Sequence, residues 1–207
     1  SNDEGFLDHA YLPSFKHTNK NRGYARSFGA QLNYQNRRLA GWAKNVNGFG
    51  RAYKASVKAA YPAFIQFTPY GEMLPNAQSY VDLDREQTDK FGLPQARRQV
   101  RWGANEEALF NDMVRWSLEM LQKAGAEILT VPDGPATNHE LGGCRMGPDP
   151  RRSVVNADCR THDVPNLYVV DGSVFPSASE KNPTHTIMAL AARAADHISE
   201  RMRRGEL

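Results

Sequence analysis

The sequence predicts an α+β fold: an antiparallel sheet backed by helices, followed by a short strand–helix piece of the α/β kind. Three observations carry this. Residues 63–102 alternate apolar and polar side chains, with turn residues between the runs. Residues 105–124 repeat apolar side chains at helical spacing between two capping signals. Residues 164–198 join a continuous apolar run to a second helix through a polar loop.

Residues 1–60 show weak periodicity and many Asn, Arg and Gly, so loops with short elements are expected there. In AFIQFTPYG, Ile65 and Phe67 oppose Gln66 and Thr68, the alternation of a half-buried strand. LPNAQSYVDL supplies a Pro-Asn turn and a second strand, with Val81 and Leu83 alternating against Asp82. DREQTDKFGLP is a polar connection, and ARRQVRW reads as a third strand with Val100 and Trp102 facing in. Short links between these strands predict an antiparallel meander. In the helix over 105–124, Asn105 is the expected N-cap, and Glu106 and Glu107 suit the positive end of the dipole. Phe110, Met113, Val114, Ser117, Leu121 and Ala124 form its core stripe, and Gly125 stops it. LYVV resembles a strand buried on both faces, with Asp171-Gly172 at its end. The last helix follows, with a face of Ile187, Leu190, Ala191, Ala194 and Ile198. A strand, a loop and a helix in this order form one arm of a nucleotide-binding α/β layer.

At 207 residues the chain can hold one domain, or two small ones, with a real core. No window approaches the apolar run of about 20 residues that a membrane span requires, and the acidic SNDEGFLDHA is unlike a signal peptide. Ser1-Asn2 without a methionine reads as the scar of a removed tag on a piece of a longer protein. Net charge is +3, but residues 1–60 hold ten Lys/Arg (Lys16, Lys20, Arg22, Arg26, Arg37, Arg38, Lys44, Arg51, Lys54, Lys58) against Asp3, Glu4 and Asp8. Tyr24, Phe28, Tyr34, Trp42, Phe49 and Tyr53 interleave with these cations, as on a nucleic-acid surface. No nucleic-acid motif accompanies them, which favours a solvated polar segment and no nucleic-acid partner.

The chemistry concentrates in NHELGGCRMG at 138–147 and CRTH at 159–162. His139, Cys144, Cys159 and His162 are zinc-compatible side chains, and a zinc-stabilised binding module is the alternative reading. Their spacing matches no finger or ribbon, and two cysteines make no disulfide framework. No G-x-S-x-G elbow marks a nucleophile.

Taken together, H-E-L-G-G-C-R-M-G, H-D-V-P-N-L-Y-V-V-D-G-S-V-F-P and N-P-T-H-T-I-M-A-L-A-A-R-A-A-D-H-I resemble the C-terminal signature of the glucose–methanol–choline (GMC) flavin oxidoreductases. The resemblance runs collinearly from Gln66 to Ile198 and includes Y-G-E-M-L-P-N, D-K-F-G-L-P and K-A-G-A-E. The H-D-V-P-N and V-V-D-G-S segments most resemble bacterial sugar and polyol dehydrogenases, including gluconate dehydrogenase flavoproteins.

The resemblance implies an FAD-dependent enzyme that oxidises an alcohol, on a sugar or polyol, to a carbonyl. His139 matches the histidine that takes the hydroxyl proton, and Asn182 the second active-site position, which hydrogen-bonds the substrate oxygen beside the flavin. Asp171 and Gly172 match the flavin-contacting Asp-Gly, and Pro183 and Thr184 the loop against the isoalloxazine ring. It also implies a substrate-binding part over 1–138, divided into the basic segment 1–60 and the strands and helix of 61–138. Residues 139–207 would carry the active site and complete the FAD-binding α/β domain.

These roles agree with elementary chemistry. Hydride removal from an alcohol carbon requires a base for the hydroxyl proton, and a histidine side chain ordinarily titrates at about 6.5. Asparagine donates a hydrogen bond without competing for that proton. Pro183 restricts Asn182 to an extended backbone before the helix begins.

Two positions depart from the family pattern: Gly143 stands where threonine is more frequent, and His185 where an apolar residue is usual. The G-x-G-x-x-G that binds the ADP half of FAD is not in the 207 residues; GFGRAY at 48–53 lacks its third glycine. The expectation is a C-terminal fragment, catalytically silent alone, whose partners are the N-terminal FAD domain, the alcohol substrate and an acceptor such as oxygen, a quinone or a cytochrome. The expected compartment is cytoplasm or periplasm. Cys144 and Cys159 are then packing residues, His162 a surface one, and Arg145 a donor to nearby carbonyls.

Overall fold

The computed structural model describes residues 10–13, 22–33 and 41–206. Lys16, Lys20, Tyr34, Arg37 and Arg38, with Asp3, Glu4, Asp8 and the Ser1-Asn2 start, lie outside the described residues, so five of the sixteen named cations and aromatics of this segment are not placed. In chain order the elements are strands β1 (Ala10–Leu12) and β2 (Phe28–Asn33), helix α1 (Gly50–Ala60), and strands β3 (Gln66–Gly71), β4 (Tyr80–Thr88) and β5 (Pro94–Gln99). Helices α2 (Ala104–Lys123) and α3 (Thr184–Arg203) follow. The α+β class is as expected, and the chain forms two compact units, each made of two separate stretches. Residues 1–72 join 104–135, and residues 73–103 join 136–207. The second unit therefore begins its last stretch three residues before the division expected at 138/139, and it also holds β4 and β5.

In the first unit, β1, β2 and β3 make an antiparallel sheet with β2 central. Phe28 and Ala30 are buried on β2, and so is Gly29 between them, covered on the other face by Tyr11. Trp116 of α2 meets Phe28 edge-on at 5.4 Å and lies 5.7 Å from Phe67 of β3. Gly71 lets α2 come close, because a Cβ there would lie 2.7 Å from Leu109 Cδ2 and 3.2 Å from Met113 Sδ. Pro69 sits on β3, an edge strand where its missing N–H costs no central ladder bond.

The start of α2 is held by side chains upstream. Tyr24 donates to Asp112 Oδ2 at 2.7 Å, and the Ala25 N–H donates to Asn105 Oδ1 at 2.7 Å. Asn105 therefore lies inside the first turn and caps another segment's N–H, whereas the sequence reading made it this helix's own N-cap. The C-terminal end is as expected. Gly125 has φ +78°, and the bonds Gly125 N–H to Gln122 O and Ala126 N–H to Leu121 O form a Schellman motif. Along the predicted stripe, Phe110 to Leu121 are half-buried, Ala124 is exposed and Leu109 is buried instead.

Helix α1 was not expected. GRAYKASVKAA has the Ala and Lys content of a helix former, and Tyr53, Val57 and Ala60 form a short half-buried stripe, but Phe49 gives no side-chain cap and none of its residues is fully buried.

In the second unit, β4 and β5 form a two-stranded hairpin. Its turn is organised by Asp89, whose Oδ1 accepts from the Phe91 and Leu93 N–H groups at 2.8 and 3.0 Å, with Gly92 at φ +81°. Asp82 and Arg97 form a two-pronged bridge across the strands, Nε–Oδ1 2.9 Å and Nη2–Oδ2 2.6 Å. Asp82 is half-buried, whereas Val81 and Leu83 are 70% and 55% exposed. Arg98, opposite Val81, shares their face and reaches Glu140, yet Val81 and Leu83 stay exposed, so alternation alone does not decide which face is inner. Val100 and Trp102 lie beyond the end of β5, half-buried but outside the ladder. The meander is corrected too, since β3 pairs with β2 and not with β4.

The core of this unit gathers Val155, Cys159, Val174 and Ala194, all at most 1% exposed. Single bridges replace regular strands here: Met146 with Val155, Val155 with Thr161, and Arg160 with Tyr168. LYVV makes only the last of these, with Leu167 49% and Val170 37% exposed, which overturns the strand buried on both faces. Such a strand needs parallel neighbours on either side, and none is present among the described residues. Helix α3 has the expected inner face: Ala194 is buried, and Ile187, Leu190, Ala191 and Ile198 are half-buried. Among the described residues no helix is long and apolar enough to cross a membrane.

Leu109 is 3% exposed beneath Gly71, so Leu109→Ala should cost about 2–4 kcal/mol of unfolding free energy, measured by urea denaturation. Burial first, then the Asp112 carboxylate, pushes the Tyr24 hydroxyl up to about 12. Its folded pKa is thus above its unfolded one. The stability it contributes is complete below pH about 10 and lost as pH rises through about 12. Ultraviolet titration should show one late tyrosine that moves to lower pH in Asp112→Ala.

Candidate active site

His139 enters the site through its backbone. Residues 142–146 run alongside 172–174 and bond to them three times. Gly142 N–H donates to Gly172 O at 3.2 Å, Cys144 N–H to Ser173 O at 3.0 Å, and Met146 N–H to Val174 O at 2.8 Å. Gly142 and Gly143 take φ +88° and +95°, left-handed values that suit glycine. His139, at φ +59°, takes the same region with a side chain. Leu141 packs over Gly172, where a Cβ would lie 2.6 Å from Leu141 Cδ2 and 3.4 Å from Ile187 Cδ1. Gly172 thus links the segment that follows His139 to the first turns of α3.

Asp171 precedes a short 3₁₀ turn, Gly172–Val174, and its Oδ1 accepts the Ser173 N–H at 2.7 Å. The Ser173 hydroxyl and N–H hold the Asp171 carboxyl below the usual range. Pro183 closes the loop before α3, and its carbonyl accepts the Ile187 N–H at 3.0 Å. Asp171, Asn182 and Thr184 are exposed, and His139, Gly172 and Pro183 are half-buried. The structure therefore brings the His139 segment against Asp171-Gly172, and joins Gly172 to the helix that Asn182, Pro183 and Thr184 begin. His185, on the first turn of α3, is exposed.

Two further side chains join this segment without having been anticipated. Glu140 pairs with Arg98 of β5. Its carboxyl is held below the usual range by its own N–H and the Thr137 hydroxyl first, then by the charges of Arg98 and His139.

The zinc alternative finds no support. Among the described residues no three His, Cys, Asp or Glu side chains are grouped to hold a metal. His162 is occupied locally and is half-buried, not a free surface residue: its Nε2 lies 3.0 Å from Ser153 Oγ and 3.1 Å from Gly147 O. Cys159 is fully buried, and burial pushes its thiol up. Cys144 is half-buried, and Arg145 donates to Arg152 O at 2.6 Å, a carbonyl bond of the kind expected of it.

The profile of the GMC oxidoreductase family matches residues 75–191, more than half of the chain. The chain belongs to the GMC oxidoreductase family. Among relatives, 2-methyl-1,2-propanediol dehydrogenase of Mycolicibacterium austroafricanum is 36% identical over 92% of this chain and 36% of its own length. The gluconate 2-dehydrogenase flavoprotein of Pantoea cypripedii is 29% identical over 76% of this chain and 27% of its own length. The fructose dehydrogenase large subunit of Gluconobacter japonicus is 29% identical over 87% of this chain and 34% of its own length. The GMC chain described here thus spans about a third of the length of these relatives.

A Cβ on Gly143 would meet nothing within 4 Å, so open space lies beside the segment that follows His139.

Gly172→Ala should displace Leu141 and cost about 1 kcal/mol, measured by denaturation. Gly134→Ala, where a Cβ meets nothing within 4 Å, should cost less than half of that.

Proposed function

We propose that this chain forms the active-site face of an FAD-dependent dehydrogenase that oxidises a hydroxyl group of a sugar or small polyol to a carbonyl. Family membership supports the reaction class, and the relatives named above support the substrate class. The observation that carries the reading is the three-bond alignment of 142–146 on 172–174, which sets the segment of His139 beside Asp171-Gly172.

Bound FAD supplies the acceptor for the hydride leaving the alcohol carbon. His139 takes the hydroxyl proton on an imidazole nitrogen, so that loss of the hydride leaves a neutral carbonyl and not its O-protonated cation. Asn182 donates from its side-chain amide to the substrate oxygen and fixes its direction. Asp171, Gly172, Pro183 and Thr184 hold the flavin, and the N-terminus of α3 presents its partial positive charge to that side. Residues 1–138 serve as the substrate part and 139–207 as the active-site and flavin part. The electron acceptor that regenerates the cofactor is oxygen, a quinone or a cytochrome, and the compartment is cytoplasm or periplasm. The chain alone is expected to be inactive, because its 207 residues hold no G-x-G-x-x-G for the ADP half of FAD.

In the whole FAD-loaded protein, His139→Ala should lower kcat by about 10²–10⁴-fold while flavin absorbance and KM change little. Steady-state oxidation of gluconate, fructose and 1,2-diols measures this, and unchanged turnover on the best of them would remove His139 from the mechanism.

A further inference from the structure

We propose that Arg98 and Glu140 are positioning residues for His139, a role that rests on reading His139 as the base. His139 holds a left-handed backbone, which only Arg26 and Cys159 share among the described non-glycine residues. That conformation costs a side-chain-bearing residue about 1 kcal/mol or more, so it persists where the surroundings impose it.

On the C-terminal side, the bonds of Gly142, Cys144 and Met146 to 172–174 impose the path of the chain. Glu140 supplies the second hold, immediately next to His139. Its carboxylate pairs with the Arg98 guanidinium, which ties it to a different element, the β4–β5 hairpin.

That hairpin is a firm post. Arg97 and Arg98 are successive residues of β5, so they point to opposite faces. Arg97 forks onto Asp82 and locks the two strands in register. Arg98, opposite Val81 in the ladder, is left to reach Glu140. The Arg98 and Glu140 side chains are 56% and 48% exposed, so the pair adds little to global stability. Its value is directional: with the backbone held at Glu140 and again over 142–146, the His139 imidazole keeps one approach to the reacting hydroxyl. Misplacement of a reacting group by about 1 Å can cost about 10²-fold in rate. Arg98 and Glu140 touch no reacting atom and act through His139.

The test uses the whole FAD-loaded protein with R98Q, E140Q, the double variant and H139A, beside the conservative R98K and E140D. Flavin absorbance checks cofactor loading. R98Q and E140Q should each lower kcat about 10–100-fold with KM within about twofold, and the double variant should be no worse than the poorer single one. R98K or E140D should recover most of kcat, which a loss of folding would not allow. In the 207-residue chain itself, R98Q should move or broaden the ring Cε1–H resonance of His139 and leave that of His197 in place. Full kcat in both R98Q and E140Q alongside an inactive H139A, strictly additive losses, or an unmoved His139 resonance would each overturn the positioning role. An active H139A would overturn the base reading instead, whatever the two partners do.

Discussion

The site depends on one backbone constraint: the three hydrogen bonds that carry residues 142, 144 and 146 along residues 172, 173 and 174. Neither segment is a regular strand, so side-chain patterning does not hold them together; peptide groups do. Buried peptide groups need partners, and here each segment satisfies the other. Close approach then dictates the residue types. Gly172 has no room for a side chain beneath Leu141, and Gly142 and Gly143 turn through left-handed angles that other residues avoid. The glycines of HELGG and DG therefore hold the histidine's segment in place, and the chemistry follows from where that leaves His139.

Legibility in the sequence followed the range of the forces. Helices α2 and α3 were readable because their signals are local: the Gly125 stop of α2 and the Ala194 face of α3. Helix α1 was not, since it has no capping side chain and only the short stripe of Tyr53, Val57 and Ala60 to mark its face. Strand existence was readable, but the pairing of β3 with β2 and the outward turn of Val81 and Leu83 were not. Alternation says that a strand has two faces; which one is covered depends on what packs there. In the site, His139, Asp171 and Gly172 stood out through motif order. Arg98 and Glu140 lie 42 residues apart and obey no period, so only the folded chain joins them.

The β4–β5 hairpin combines two tendencies. Its turn and register are fixed internally, by Asp89 and by the Asp82–Arg97 fork. Its apolar side chains are not satisfied internally, because Val81, Leu83, Phe91 and Leu93 are each more than half exposed. An isolated hairpin is marginal in water, so this one draws its support from the rest of its unit. Through Arg98 it joins the segment of the candidate base, which ties a surface hairpin to the centre of the proposed chemistry.

The order in which the two units share the chain has a consequence for biosynthesis. Residues 73–103 belong with 136–207, and 104–135 interrupt them. A ribosome releases the hairpin well before it makes the segment that Arg98 must meet. The hairpin is complete before the 136–207 stretch of its unit exists, and its apolar strip stays exposed after that stretch has joined it. In nascent and folded chain alike, exposed Val81, Leu83, Phe91 and Leu93 make this hairpin a candidate for chaperone capture.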